Sequence, residues 1–327
     1  MPDASSPVVW SVPMRTRFRG LTSRDGVLVR GDAGWGEFSP FWDYDAQESA
    51  AWWRAAREAA DEGWPDPVRD AVPVNVTVPA VDPEEAHRLV RASGGCRTAK
   101  VKVAEPGQTQ AQEEARLEAV RDALGPDGAI RVDANAAWDV ETAVTRLAAL
   151  DRAAGGLEYA EQPVPTVADL AALRRRTSVR IAADESVRRA ADPLAVARAH
   201  AADVLVLKVQ PLGGVRACLR IAHECGLPVV VSSALETSVG LAAGVALAAA
   251  LPELPFASGL ATARLLTADV VADPLLPVDG ALPVRRPEPD AALLDRHAAD
   301  PALTARWTAR VAAVRSVLAG HDPRRTA

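Results

Sequence analysis

From about residue 72 the chain alternates short apolar runs with alanine-rich segments of helical period. The runs fall at 72–78, 99–103, 129–132, 157–160, 179–182, 204–207 and 229–231, with a weaker one near 254–257. Between them the apolar positions recur at helical spacing: in 214–225, Val215, Cys218, Leu219, Ala222 and Cys225 share one face. Buried strands alternating with amphipathic helices indicate a parallel sheet. Roughly eight such units predict a closed β/α barrel. An open, doubly wound sheet would want a glycine-rich phosphate loop after an early strand, and neither G-x-G-x-x-G nor a P-loop occurs in that context.

The first 65 residues read differently. Residues 8–18 and 26–29 look like strands separated by a turn at Ser23-Arg24-Asp25-Gly26, and 34–38 begin another strand or loop. Residues 45–62 read as a helix capped by Asp45 and ended by Gly63 and Pro65. Near the other end, Asp300 as N-cap and Pro301 at the first helical position open a helix reaching about Leu318, expected to pack back on the N-terminal unit. The predicted architecture is α/β. A modified, TIM-like β/α barrel spans 83–275, with the run from 72 as a possible earlier start of its first strand. An α+β capping domain spans 1–82 and is completed by 276–327.

Composition narrows the function. Hydrophobic residues make up 49% and charged residues 24%, an ordinary globular balance. The net charge is −6 without a basic stripe, which argues against nucleic acid as a partner and leaves a small anionic molecule, provided its site supplies positive charge. The N-terminus lacks the pattern of a signal peptide, and the longest apolar run, 240–251, is too short to span a bilayer. Cys96, Cys218 and Cys225 have no metal-ligand spacing and read as buried thiols. These features together predict a cytoplasmic protein with no membrane partner, monomeric or a small homo-oligomer.

Charges interrupt the apolar strands at regular places. Lys100 and Lys102 lie in the 99–103 run, and Asp133, Glu161, Asp184 and Lys208 each end the strand that follows in turn. Successive spacings from Lys102 are 31, 28, 23 and 24 residues, about one β/α unit each. A lone charge at a strand end is usually solvated or salt-bridged. Five in succession occupy the catalytic face of a barrel, where an unpaired charge is costly and needs a partner or a metal. Three carboxylates from adjacent strands form an all-oxygen set that favours Mg²⁺ over Zn²⁺, with Mn²⁺ a tolerated substitute; no histidine lies at a suitable strand end.

Side chains of Lys-x-Lys project to one side of their strand. Two ammonium groups beside a divalent cation disfavour protonation, so one lysine is expected to titrate within reach of general-base work. Lys102, nearer the strand's end, is the candidate base. Lys100 supports it and could hold a substrate carboxylate, and Lys208 arrives from the other side of the ring. This set suits proton removal next to a carboxylate, where charge builds on oxygens that a metal can neutralise.

The signatures K-x-K (Lys100, Lys102), D-x-N (Asp133, Asn135), E-Q-P (Glu161, Gln162, Pro163) and D-E-S (Asp184, Glu185, Ser186), with Lys208 on the next strand, resemble the enolase superfamily. The branch they match contains the o-succinylbenzoate synthases. Residues 15–20, 35–41, 208–214 and 232–238 resemble the actinobacterial type of that family. The resemblance covers nearly the whole chain. It implies an enolase-type barrel under a cap, and dehydration of 2-succinyl-6-hydroxy-2,4-cyclohexadiene-1-carboxylate to o-succinylbenzoate in menaquinone synthesis. It implies that Asp133, Glu161 and Asp184 bind Mg²⁺, that Lys102 removes the proton and returns it to the departing hydroxyl, and that Lys208 stabilises the charge formed. Asn135, Gln162 and Glu185 would orient these groups. Ser232, Ser233 and Gly259 would contact the succinyl arm, and Arg19 would lie in a cap loop over the site. Racemisation of N-succinylamino acids or epimerisation of dipeptides on the same residues stays open as the alternative. A Schiff-base aldolase-type barrel would leave three carboxylates in register unexplained.

Overall fold

A computed structural model of the chain describes residues 7–18, 20–189 and 192–320. The N-terminal unit is an antiparallel sheet of β1 (Val8–Phe18), β2 (Leu21–Gly31) and β3 (Gly34–Phe38), followed by a helix, Ala46–Arg57, that runs on as a π-helical turn, Glu58–Glu62. Asp45 and Glu48 close a reciprocal capping box at the helix start, and Gly63, at φ +70, ends the turn.

The turn expected at 23–26 is strand instead. Ser23, Arg24, Asp25 and Gly26 pair with Pro13, Val12, Ser11 and Trp10, and the chain reverses between Phe18 and Leu21, where Gly20 has φ +77. Ser23 stays exposed, but Arg24 and Asp25 are buried, and each has partners. Arg24 donates to the carbonyl oxygens of Ser39, Ala234 and Leu235. Asp25 Oδ1 accepts from the indole N–H of Trp42 at 3.0 Å and of Trp307 at 2.7 Å. Trp307 belongs to the C-terminal helix Pro301–Gly320, whose Trp307, Val311 and Val314 join Phe38, Trp52 and Trp53 in a core of their own. Asp300 caps this helix, as expected, by accepting from Leu303 N.

The remaining strands are β4 (Ala71–Pro73), β5 (Val76–Val78), β6 (Thr98–Lys102), β7 (Ala129–Asp133), β8 (Tyr159–Glu161), β9 (Ile181–Ala183), β10 (Val204–Leu207), β11 (Val229–Val231) and β12 (Ala281–Pro283). β5 to β11 form one parallel sheet in sequence order, without the reversal of order that a doubly wound sheet requires. The run at 72–78 is divided. β4 pairs antiparallel with β12, and Pro73, which has no N–H, passes its carbonyl to Ser258 N. Only β5 enters the barrel sheet.

The eighth strand lies later than 254–257 and is reduced to two parallel bridges, Val74↔Ser258 and Ser232↔Gly259. Pro255 can donate nothing to a ladder there. Asn75 N to Ser258 O (2.9 Å) and Gly259 N to Val231 O (2.7 Å) close the ring.

Alternation along the strands separates two environments. Ala99, Val101, Ile130, Val132, Ile181, Leu205 and Val231 belong to the main core, while Tyr159, Ala182, Val204, Val206, Val230 and Phe256 form a separate inner cluster. Arg131, fully buried, stacks on Tyr159 at 4.7 Å. Further along the same inward rows the side chains are charged. The helix Ser238–Ala250, which contains most of the longest apolar run, is almost wholly buried, and no helix among the described residues is long and apolar enough to cross a membrane. Cys96 and Cys218 are buried as expected, but Cys225 is partly exposed.

β3 carries Glu37 into the junction between cap and barrel. Burial, and then the neighbouring Glu236 carboxyl, push Glu37 up to about 8. Between about 4.5 and about 8 the unfolded chain therefore holds fewer protons here than the folded one, so stability should fall as pH rises through that window. Glu37→Gln should flatten this slope. Thermal midpoints of both proteins across the window measure it.

Candidate active site

The strand register brings the predicted charges together. Lys102, Asp133 and Glu161 lie side by side on β6, β7 and β8. Asp184 follows β9, and Lys208 follows β10. All five are buried, as is Lys100. Lys100 Nζ lies 2.9 Å from both carboxylate oxygens of Glu161 and 3.4 Å from Asp133 Oδ2. Lys102 Nζ lies 2.5 Å from Asp133 Oδ2 and 2.6 Å from Asn135 Oδ1. Lys208 Nζ lies 2.6 Å from Asp184 Oδ2.

The three orienting candidates do different things. Asn135, at φ +46, donates from its backbone to Asp133 Oδ1 and from Nδ2 to Glu185 Oε1 at 3.2 Å, so it links Lys102 to Glu185. Gln162 holds backbone rather than ligand: its Oε1 accepts from Asp184 N (2.9 Å) and Ser186 N (3.1 Å), and its Nε2 donates to Ser186 Oγ. Glu185 also accepts from Arg188, a residue the sequence reading missed. Arg188 Nε donates to Asp184 Oδ1 at 2.9 Å, Nη2 to Glu185 Oε1 at 2.5 Å, and Nη1 to the Tyr44 hydroxyl of the cap. The spacings i,i+4 and i,i+3 on one short helix were the available signal.

Electrostatics divide the carboxylates. Burial works against ionisation of all three. Lys102 and Lys100 nevertheless hold Asp133 below the usual carboxylate range, and Arg188 and Lys208 do the same for Asp184. Glu161 goes the other way: burial, then the Asp133 charge, push it up to about 7. Burial alone would lower the Lys100 ammonium, but Glu161 and then Asp133 hold it above its ordinary range. Lys100 is therefore a fixed positive charge, unsuited to act as a base at neutral pH.

A narrow cleft opens on this cluster. Lys100, Lys102, Asp133, Asn135 and Lys208 line it, with Ser232, Ser233 and Gly259 from the last two strand ends. Glu161, Asp184, Gln162 and Glu185 do not line it. Phe18 and Phe41 of the cap do, with Thr77, Ala234, Leu235 and Thr262; both phenylalanines lie in the family-like segments 15–20 and 35–41, but neither was singled out as a site residue, because tertiary packing brings them to the cleft. Ser233 Oγ pairs with Thr262 Oγ1 at 2.6 Å and accepts from Leu235 N, a loop-capping arrangement. Gly259 leaves little room: a Cβ there would sit 2.7 Å from Ser232 Oγ. A second, roomier cleft, lined also by Arg17 and Glu105, reaches the same Lys102, Asn135 and Phe18. Arg19 lies outside the described residues.

Asp133, Glu161 and Asp184 supply only carboxylate oxygens from three adjacent strands, a donor set for a hard divalent cation. Among the described residues no three such groups converge on one point; each carboxylate is turned onto a lysine ammonium. The upward push on Glu161 marks a place where one more positive charge would be accommodated. In these two respects the residues fit Mg²⁺.

Residues 82–289 match the family model described as enolase C-terminal domain-like, and 9–60 match the enolase N-terminal domain-like model. A protein named o-succinylbenzoate synthase from Thermobifida fusca is 67% identical over 94% of this chain and 95% of its own length. One of the same name from Mycobacterium leprae is 53% identical over 95% and 91%. Among solved structures, the muconate lactonizing enzyme from Pseudomonas putida aligns with a TM-score of 0.76 at 22% identity, over 90% of this chain and 98% of that one. The L-Ala-D/L-Glu epimerase from Bacillus subtilis aligns at 0.73 and 23%, over 87% and 96%. At that identity these structures establish the shared fold. With its strand-end signatures gathered at one barrel mouth and such identity along nearly its full length, the chain belongs to the o-succinylbenzoate synthase family of the enolase superfamily.

Proposed function

We propose that this protein catalyses the Mg²⁺-dependent dehydration of 2-succinyl-6-hydroxy-2,4-cyclohexadiene-1-carboxylate to o-succinylbenzoate, a step of menaquinone synthesis. The observation that carries the reading is one cleft lined by Lys102 and Lys208 above three buried carboxylates, in a chain 67% identical to a protein of that name.

Asp133, Glu161 and Asp184 would hold the metal. When bound, the cation offsets the charge that grows on the substrate carboxylate as the adjacent C–H bond breaks. Lys102, an ammonium paired with Asp133 at rest, must first release a proton; as the free amine it takes the proton from the carbon bearing the carboxylate. The electron pair moves into the ring and the C–O bond to the hydroxyl breaks. Lys102 then returns the proton to the leaving oxygen, so that water departs and the ring becomes aromatic. Lys208 and Lys100 stay charged and face the developing anion. Four carboxylates (Asp133, Glu161, Asp184, Glu185) meet four cations (Lys100, Lys102, Lys208, Arg188) in this cluster. A divalent ion adds two positive charges, which suits a substrate with two carboxylates.

Ser232, Ser233 and Gly259 would meet the succinyl arm. Gly259→Ala should displace the Ser232 side chain and raise KM roughly threefold to tenfold, the equivalent of one weakened hydrogen bond, with kcat little changed. Steady-state kinetics distinguish the two constants.

The reading is tested by comparing kcat/KM for dehydration with that for racemisation of N-succinylamino acids and epimerisation of dipeptides. Dehydration should exceed both by orders of magnitude. Racemisation or epimerisation without dehydration would replace the proposed substrate while keeping the lysine and carboxylate site.

A further inference from the structure

Ser232, Ser233, Ala234 and Leu235 form one wall of the cleft, yet the backbone of the segment 232–237 that carries them is held from outside the barrel. Arg24, on β2 of the cap, donates to Leu235 O at 3.1 Å and Ala234 O at 3.2 Å. Glu37, on β3, accepts at Oε2 from Thr237 N and Gly240 N, both at 3.2 Å, and from the Thr237 hydroxyl. Glu37 Oε1 accepts from Ser39 Oγ at 2.7 Å. Ser39, just after β3, in turn donates from its backbone to Gln210 Oε1 and accepts at Oγ from Gln210 Nε2, which ties the end of that cap strand to the turn after Lys208.

Two features show that the chain is built around these bonds. Leu235 has φ +65, a left-handed conformation that a side-chain-bearing residue keeps only where its surroundings enforce it. Gly240 opens the space for the carboxyl groups: a Cβ there would lie 2.9 Å from Glu37 Cδ and 2.7 Å from Glu236 Cβ. Glu37, Ser39, Thr237 and Arg24 are all buried.

We propose that Arg24 and Glu37 are positioning residues, which from the cap fix the 232–237 wall and thereby set how tightly the substrate's end remote from the carboxylate cluster is held. The inference rests on the dehydratase reading for its substrate but not for its geometry. Neither residue lines the cleft, so their loss acts through Ser232, Ser233 and Leu235.

Steady-state kinetics of dehydration test it, together with amide hydrogen exchange over 232–240. Glu37→Ala should raise KM about tenfold to thirtyfold, the loss of one to two hydrogen bonds, with kcat within about threefold of the parent. Glu37→Gln should restore KM to within about threefold, because its amide oxygen accepts from the Thr237 and Gly240 N–H groups and its NH₂ donates to Ser39 Oγ. If Glu37→Ala does not fold, Ser39→Ala is the milder probe, with an expected KM rise of about fivefold. An unchanged KM in folded variants, or a fall in kcat alone, would overturn the proposal. Should the parent protein not dehydrate the substrate, the functional reading fails, and exchange alone then decides. Amide protection over 234–240 lost in Glu37→Ala and kept in Glu37→Gln supports the clamp; protection equal in all three overturns it.

Discussion

Lys102→Ala is expected to lower kcat for dehydration by roughly 10³-fold or more, while o-succinylbenzoate still binds within a few-fold of the parent affinity. Lys102 Nζ sits at the cleft surface, 2.6 Å from Asn135 Oδ1 and 5.3 Å from the centre of the Phe18 ring. Its loss leaves the strand and the other two lysines in place. Asp133 keeps Lys100 at 3.4 Å, so the site does not gain an unpaired buried charge. An effect confined to kcat follows from losing the group that carries the proton and retaining the groups that carry charge. Lys208→Ala should be less clean. It removes a fixed charge facing the anion and also leaves Asp184 with Arg188 alone, so it should weaken ligand binding along with the rate. Titration of both variants with product by calorimetry, beside their kinetics, would separate the roles. Equal losses of affinity in the two would contradict the assignment of Lys102 as the base.

Asp184→Asn should have the other large effect, through the metal. Asp184 is fully buried and accepts from Lys208 Nζ at 2.6 Å and Arg188 Nε at 2.9 Å. Removing its charge leaves two buried cations with a weaker partner, at a cost of about 3 kcal/mol in the metal-free protein. It also removes one of the three proposed ligands. In the parent protein, excess Mg²⁺ should raise the thermal midpoint, because an ion that binds only the folded state stabilises it by mass action. In Asp184→Asn that Mg²⁺-dependent rise should vanish, and activity should fall by about 10³-fold or more. EDTA should silence the parent enzyme, and added Mg²⁺ should restore it. A midpoint that rises equally with Mg²⁺ in both proteins would remove Asp184 from the ligand set.

The charged residues at the strand ends were legible because a barrel imposes one rule on every strand. Alternate side chains face inward, so Asp133, Glu161, Asp184 and Lys208 had to share one face once the strands were recognised. Their spacing then carried the order around the ring. What escaped was mostly information that is not local. Arg188 owes its role to Asp184 and Glu185, whose spacing from it was visible but went unread, and to a cap tyrosine that its own neighbourhood in sequence does not announce. Phe18 and Phe41 come from the cap. Arg24 and Asp25 were misread as a turn because polar residues usually mark one; here Trp42, Trp307 and the carbonyls of 234 and 235 satisfy them in the interior. The last barrel strand was hard to see because two bridges at Ser258 and Gly259 do the work of a ladder.

The lysine and carboxylate residues at this barrel mouth are proposed to dehydrate the cyclohexadiene substrate with Mg²⁺. The most direct measurement is the loss of the substrate's absorbance on mixing with purified, Mg²⁺-loaded protein. Rapid turnover that stops in EDTA and is absent in Lys102→Ala is the expected result. No turnover by folded, metal-loaded protein would contradict it.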